Sequence, residues 1–217
     1  MIVRTFTGGG FGQNAYLTVC EPSRSVAAID PGAAAASMVE AIVAEGLALQ
    51  AIFLTHAHID HVEGVGTVRE RWPDVPIWLH ADALTMYRRA PAQAAAFGVH
   101  MAPQPEPTHE LAHGQRLDIG SCALDVRLAP GHAPGHVILV APDKEYALVG
   151  DVVFYGSIGR TDFPGCDHRT LMASIRDQVL TLPDQTVLYS GHGPPTTVGR
   201  ERVSNPFLAG LAEDDRG

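Results

Sequence analysis

The chain has 217 residues, long enough for one generous domain and short for two. Its 46% hydrophobic content suffices for a sizeable core, while a formal charge of −9 is a poor match for a nucleic-acid phosphate backbone. The longest apolar run, around Val137 to Val140, is far too short to span a bilayer, and MIVRTFTGGG at the start lacks the apolar stretch of a secretory signal.

The expectation is therefore one domain over residues 1–217, cytoplasmic, a monomer or small homo-oligomer, with neither nucleic acid nor membrane as partner. Cys20, Cys122 and Cys166 are odd in number and widely spaced, which reads as three reduced thiols rather than a disulfide framework.

In chain order, IVRTF and NAYLTVC read as strands around the turn-rich TGGGFGQ, and SVAAID as a short strand stopped by Pro31-Gly32. AAAASMVEAIVAEG has helical spacing with Gly46 as its stop. LQAIFLT is a continuous apolar run, as a buried central strand requires, and it delivers the chain directly into His56. HVEGVGTVRERWP follows as a helix ended by Pro73, then VPIWLH as a strand, then ADALTMYRRAPAQAAAFG as a helix interrupted at Pro91. MAPQPEPTHE carries three prolines and reads as an irregular loop, either covering a site or joining two elements. ALDVRLAP, HVILVAP and YALVGDVVF are strands, DHRTLMASIRDQVLTLP a helix, and TVLYS a last strand running into GHGPP. Strands and helices alternate early and late around a strand-rich middle, so the fold class is α/β, as two αβ halves set sheet against sheet.

Four short motifs sit where strands end: THAHIDH (Thr55 to His61), PGHAPGH (Pro130 to His136), VGD (Val149 to Asp151) and SGHG (Ser190 to Gly193). A rigid sheet aims such strand-end groups at a common point. In extended backbone His56 and His58 face the same way, and the helix that begins next swings Asp60 and His61 aside toward a second position. Two metals about 3.5–4 Å apart form a hydrolytic arrangement, each needing three or four nitrogen or oxygen ligands. His56, His58 and His132 would supply one ion, Asp60, His61 and His192 the other, with Asp151 as bridge. His136 reads as a neighbour of the cluster rather than a ligand. His80, His100, His109, His113 and His168 read as surface or locally bonded.

HxHxDH followed in order by Gly-His, Gly-Asp and Gly-His resembles the metallo-β-lactamase superfamily. The resemblance implies a four-layer αβ/βα sandwich of two mixed β-sheets flanked by helices, with metals at one edge. It maps His56, His58, His132 and Asp151 onto one metal, and Asp60, His61, Asp151 and His192 onto the other. IGRTDFPG (Ile158 to Gly165) and GHGPPTTVGRERVSNPF (Gly191 to Phe207) look like the short glyoxalase II-like hydrolases, which cleave thioesters such as S-lactoylglutathione. The chain departs from full-length glyoxalase II in two ways. Only Gly193 to Gly217 follow the last histidine, too few for a glutathione-gripping helical domain. Gly193, Pro194 and Pro195 also stand where an acid and a tyrosine are expected.

The chemistry expected is a metal-dependent thioesterase acting through a hydroxide held at Asp60 and Asp151 between two divalent ions, zinc first, with iron or manganese as alternatives. Two dications and two aspartates leave about two positive charges, enough to bring bound water toward a pKa of ~7. The substrate would be a small-molecule thioester, linked to glutathione through the resemblance. A thiolate leaves readily, so no general acid is named. Arg160, in a Gly/Phe-rich loop after Asp151, is the candidate grip for an acidic substrate. The rival enzyme is a persulfide dioxygenase using one iron on His56, His132 and Asp151, and the non-enzyme alternative is a metal-binding protein.

Overall fold

The structure is a computed structural model that describes residues 1–209 and 211. The first half contributes β1 (Ile2–Gly8), β2 (Gln13–Cys20), β3 (Ser25–Ile29), α1 (Ala35–Ala44), β4 (Ala48–Phe53), α2 (Ile59–Val62), α3 (Val65–Arg71), β5 (Ile77–His80), α4 (Leu84–Ala96) and β6 (His109–Leu111). The second half contributes β7 (Arg116–Ile119), β8 (Cys122–Leu128), β9 (Val137–Val140), β10 (Tyr146–Gly150), β11 (Val153–Phe154), β12 (Ser157–Ile158), α5 (His168–Ser174), β13 (Val187–Ser190), β14 (Thr196–Thr197) and α6 (Val198–Ser204).

Six strands pair in chain order, β1 to β6, as one sheet, and the other six-stranded sheet runs β14-β13-β10-β9-β8-β7. Both are mixed: β3, β4 and β5 are parallel neighbours in the first, and β10 and β13 in the second. Side-chain alternation along the strands sorts the apolar residues into three layers. Tyr16, Ile29 and Phe53 meet Leu124, Leu139 and Leu148 between the sheets. On the outer face of the first sheet, Leu17, Val26 and Ile52 pack against Met38, Ile42 and Val68 of the helices. On the outer face of the second, Ile138, Ala147 and Leu188 pack against Leu171, Ile175 and Val198. This is the four-layer αβ/βα sandwich that the alternating pattern and the resemblance imply.

Several local readings change. The helix expected after the histidine motif is two, broken at Gly64, where an added Cβ would stand 2.2 Å from the Gly32 carbonyl. Helix α4 runs through Pro91 without a stop. Packing of Tyr87, Ala90 and Ala94 in the core outweighs the ~3 kcal/mol cost of an interior proline. The proline-rich segment joins α4 to β6: Tyr87 donates its hydroxyl to the Pro105 carbonyl, and Gly66 N–H donates to Gln104 Oε1.

The reading of three reduced cysteines is overturned. Cys20 at the end of β2 and Cys122 at the start of β8 form a disulfide between the two sheets, with Cα atoms 5.7 Å apart. A pairing across 102 positions leaves no trace in local spacing. Cys166 remains a free thiol. No helix among the described residues is long and apolar enough to cross a membrane.

Candidate metal centre

The parallel strands end at one edge of the sandwich. There β3 delivers Asp30, β4 delivers Thr55 and His56, β10 delivers Asp151, and β13 delivers His192; His132 comes from the β8–β9 connection. His58 caps the short helix α2, whose first turn carries Asp60 and His61. The turn thus separates the two halves of HxHxDH as its spacing predicts.

Donor atoms lie within 4.8 Å of one another in two separate trios, His56, His58 and His132, and Asp60, His61 and His192, and in a third group, Asp30, His56 and His61, that shares one histidine with each. In the first, His58 Nδ1 stands 3.1 Å from His56 Nε2 and 2.9 Å from His132 Nε2. In the second, Asp60 Oδ2 is 3.1 Å from His192 Nε2 and 3.8 Å from His61 Nε2. Donors ~2.1 Å from a tetrahedral ion stand about 3.4 Å apart, so both trios have the right size. Asp151 lies between them: Oδ2 is 3.5 Å from both His132 Nε2 and His192 Nε2, and Oδ1 is 3.3 Å from His61 Nε2.

The opposite ring nitrogens are already committed. His132 Nδ1 donates to the Arg160 carbonyl at 2.9 Å and His192 Nδ1 to the Phe11 carbonyl at 3.1 Å. His61 Nδ1 donates to Asp30 Oδ2 at 2.9 Å. Thr55 donates its hydroxyl to the same Asp30 oxygen at 2.6 Å, leaving Thr55 Oγ1 to accept from His56 Nδ1 at 3.0 Å. These bonds turn the free lone pairs inward, as metal-binding histidines require. His61 Nε2 and Asp151 Oδ1 are buried and face each other at 3.3 Å without a hydrogen bond to any other group, a pairing whose lone pairs a cation would take up. His/Asp donors of this kind fit a divalent-metal site.

The electrostatics agree. Burial, with neighbouring imidazoles adding, holds His56 well below the ordinary histidine value, brings His58 to about 3, and lowers His132 too, so this trio is neutral and ready to donate. Burial opposes charge on His61 and His192 as well. Asp151 overrides it, joined by Asp30 at His61 and by Asp60 at His192, pushing His61 well up and His192 to about 10. Burial likewise opposes charge on Asp151, yet His61 and His192 hold it well below the usual carboxylate range. Without a metal, protons on His61 and His192 supply the positive charge that the two carboxylates demand.

Two glycines make the approach feasible. Gly150 turns with φ 48° before Asp151. A Cβ on Gly191 would lie 2.1 Å from Asp151 Oδ1 and 2.6 Å from His61 Cε1. His136 stays beside the cluster: its ring stacks on His56 at 4.6 Å, and its Nε2 accepts the Asp151 N–H at 3.1 Å. Arg160 reaches the cavity wall, but its guanidinium is paired twice with Asp162, at 2.7 Å each, and lies over the Phe163 ring. Asp30 is the residue that the sequence did not single out. An aspartate ending an apolar strand before Pro-Gly reads as an ordinary turn residue.

The metallo-beta-lactamase superfamily model matches residues 8–192, and the chain belongs to that family. Hydroxyacylglutathione hydrolase GloC of Haemophilus influenzae is 36% identical over 91% of this chain and 93% of its own length. The solved BLEG-1 B3 metallo-beta-lactamase has a TM-score of 0.89 and 35% identity, covering 96% of this chain and 100% of that one. TTHA1623, solved in a di-iron-bound form, has a TM-score of 0.86 and 39% identity, covering 94% of this chain and 100% of that one.

Proposed function

We propose that the protein is a binuclear metal-dependent thioester hydrolase of the glyoxalase II type. The observation that carries this reading is Asp151, whose carboxylate stands between two complete donor trios, within 3.5 Å of both. His56, His58 and His132 would hold one ion, Asp60, His61 and His192 the other, and Asp151 would serve both. A divalent pair held there supplies an acidified water and Lewis acidity toward a carbonyl oxygen. Around it, Asp60 and Asp151 stay ionised to balance the charge, Asp30 fixes the aim of His61 directly and of His56 through Thr55, and His136 holds the backbone of Asp151. The relative named a hydroxyacylglutathione hydrolase supports a thioester as the bond cleaved. Zinc is the first metal to test, with iron close behind because a 39% identical relative was solved with two irons.

The mononuclear persulfide dioxygenase reading uses only His56, His132 and Asp151. It leaves idle the second trio, which is built to the same standard and contains the orphaned His61 Nε2. Two metals suit that feature better than one.

The test is metal per chain together with turnover of S-lactoylglutathione, glutathione persulfide and a β-lactam. The expected result is about two ions per chain, thioester hydrolysis lost on chelation and restored by Zn, Fe or Mn, and loss of both ions in Asp151→Ala. Full hydrolysis by metal-free protein, or one iron with oxygen uptake on persulfide, would overturn it.

A further inference from the structure

Three phenylalanines from three separate segments bound the mouth of the metal cavity. Phe11 comes from the β1–β2 turn, Phe97 from the residue closing α4, and Phe163 from the segment between β12 and α5. Phe11 is 48% and Phe97 56% exposed, although burial of such a side chain is favourable. They form a continuous arc: Phe11 meets Phe97 edge-on at 6.4 Å, Phe97 meets Phe163 at 6.5 Å, and Phe163 meets the His58 ring at 6.2 Å. A contiguous exposed apolar arc that ends on a candidate ligand is a surface waiting for an apolar group.

The rest of the lining points the same way. Apart from His58, Asp60, His132, Asp151 and His192, the cavity wall is the three phenylalanines, Ile59 and Arg160. Arg160 is the one arginine or lysine among these lining residues, and Asp162 already accepts from its Nε and Nη2. No lysine or unpaired arginine among them meets the carboxylates of a glutathione tripeptide. The cavity volume is about 210 Å³. That is below the roughly 300–1,000 Å³ of pockets that enclose whole drug-sized ligands, so it takes a reacting group and one substituent.

Resting on the thioesterase reading, we infer that the Phe11–Phe97–Phe163 arc makes this site specific for thioesters bearing an apolar group of about phenyl size beside the scissile bond, in preference to polar acylglutathiones. The substituent gains by burial against the arc, about fourfold in affinity per buried methylene. It lies on either the acyl or the thiol side, and the assay separates the two.

Metal-loaded protein is assayed with the acetyl and phenylacetyl thioesters of N-acetylcysteamine, with S-benzyl thioacetate, and with S-lactoylglutathione. Binding of the uncleavable S-methyl and S-benzyl thioethers of N-acetylcysteamine is measured calorimetrically in parallel. Each experiment is repeated with Phe97→Ala, Phe163→Ala and the milder Phe97→Leu, with thermal melts as a check on folding. The expected result has three parts. A phenyl-bearing thioester exceeds the acetyl thioester by tenfold or more in kcat/KM, S-benzyl binds tenfold more tightly than S-methyl, and both ratios shrink severalfold in the alanine variants. Phenylacetyl against S-benzyl thioacetate tells which side the arc holds. Flat ratios, ratios untouched by folded alanine variants, or S-lactoylglutathione as the best substrate overturn the inference and leave the hydrolase reading standing. A benzyl binding preference that depends on the phenylalanines, with no thioester cleaved, upholds the apolar arc and overturns the thioesterase reading.

Discussion

Asp30 sits at the end of β3 with φ 47°, a conformation costly for a residue other than glycine, and its carboxylate takes three hydrogen bonds there. One oxygen serves both the Thr55 hydroxyl and His61 Nδ1, so one carboxylate aims an imidazole in each trio. Asp30→Asn keeps the size but not the acceptor capacity, and should weaken metal affinity about 10–100-fold. Competition against a chromophoric chelator measures this, and an unchanged affinity would refute the role. A second outcome follows from His61 and His192, both held above the ordinary histidine value. Raised values keep them protonated near neutrality, so metal uptake at pH 7 must release protons, and affinity should fall as pH falls. Calorimetry of Zn uptake in buffers of different ionisation heat should show net release; heats independent of buffer would contradict it. HxHxDH was legible because its spacing is local and strand geometry fixes which side chains face together. Asp30 was not, since its chemistry depends on residues 25 and 31 positions further along.

Helix α6 packs where the second sheet turns toward the site, and Glu201 is its anchor. This fully buried carboxylate accepts from Thr196 Oγ1 at 2.5 Å, from Gly156 N–H at 2.9 Å and from Asn205 Nδ2 at 2.8 Å. It thereby fastens α6 to β14 and to the β11–β12 hairpin, whose Phe154 meets the His192 ring at 6.0 Å. Burial would raise its titration, but the Thr196, Gly156, Arg200 and Asn205 donors bring it below the ordinary glutamate value. A depressed carboxylate contributes stability that is present above its unfolded value, about 4.3, and lost as pH falls through the folded value. Glu201→Gln should cost about 1–3 kcal/mol at neutral pH and flatten the acid limb of the stability curve. Denaturant melts from pH 7 downward measure both, and parallel curves for the two proteins would argue against it. Element types were mostly readable from apolar periodicity. The short strands β6 and β7 were not, for neither is long enough to show alternation outside the sheet that pairs it.

The two sheets are joined covalently at Cys20–Cys122, across 102 positions. Closing a loop of that length stabilises a chain by up to about 4–5 kcal/mol in the chain-entropy account. Cys122→Ser, or reductant, should therefore lower the melting midpoint markedly while Cys166→Ser does little; equal midpoints with and without reductant would show that the bridge carries no stability. The sandwich itself was legible, because two αβ runs with apolar strands have few other ways to bury both faces. The bridge was not, since only the packed sheets bring its ends together. That packing matters at the rim as well. His56, His58, Asp60 and His61 arrive from one sheet, and His132, Asp151 and His192 from the other. A slip of one residue between the sheets, roughly 3.3 Å, equals the whole spacing between donors. The alignment tolerance of the catalytic edge is thus set deep in the middle of the molecule, by Phe53, Leu139 and their neighbours, which never touch a substrate.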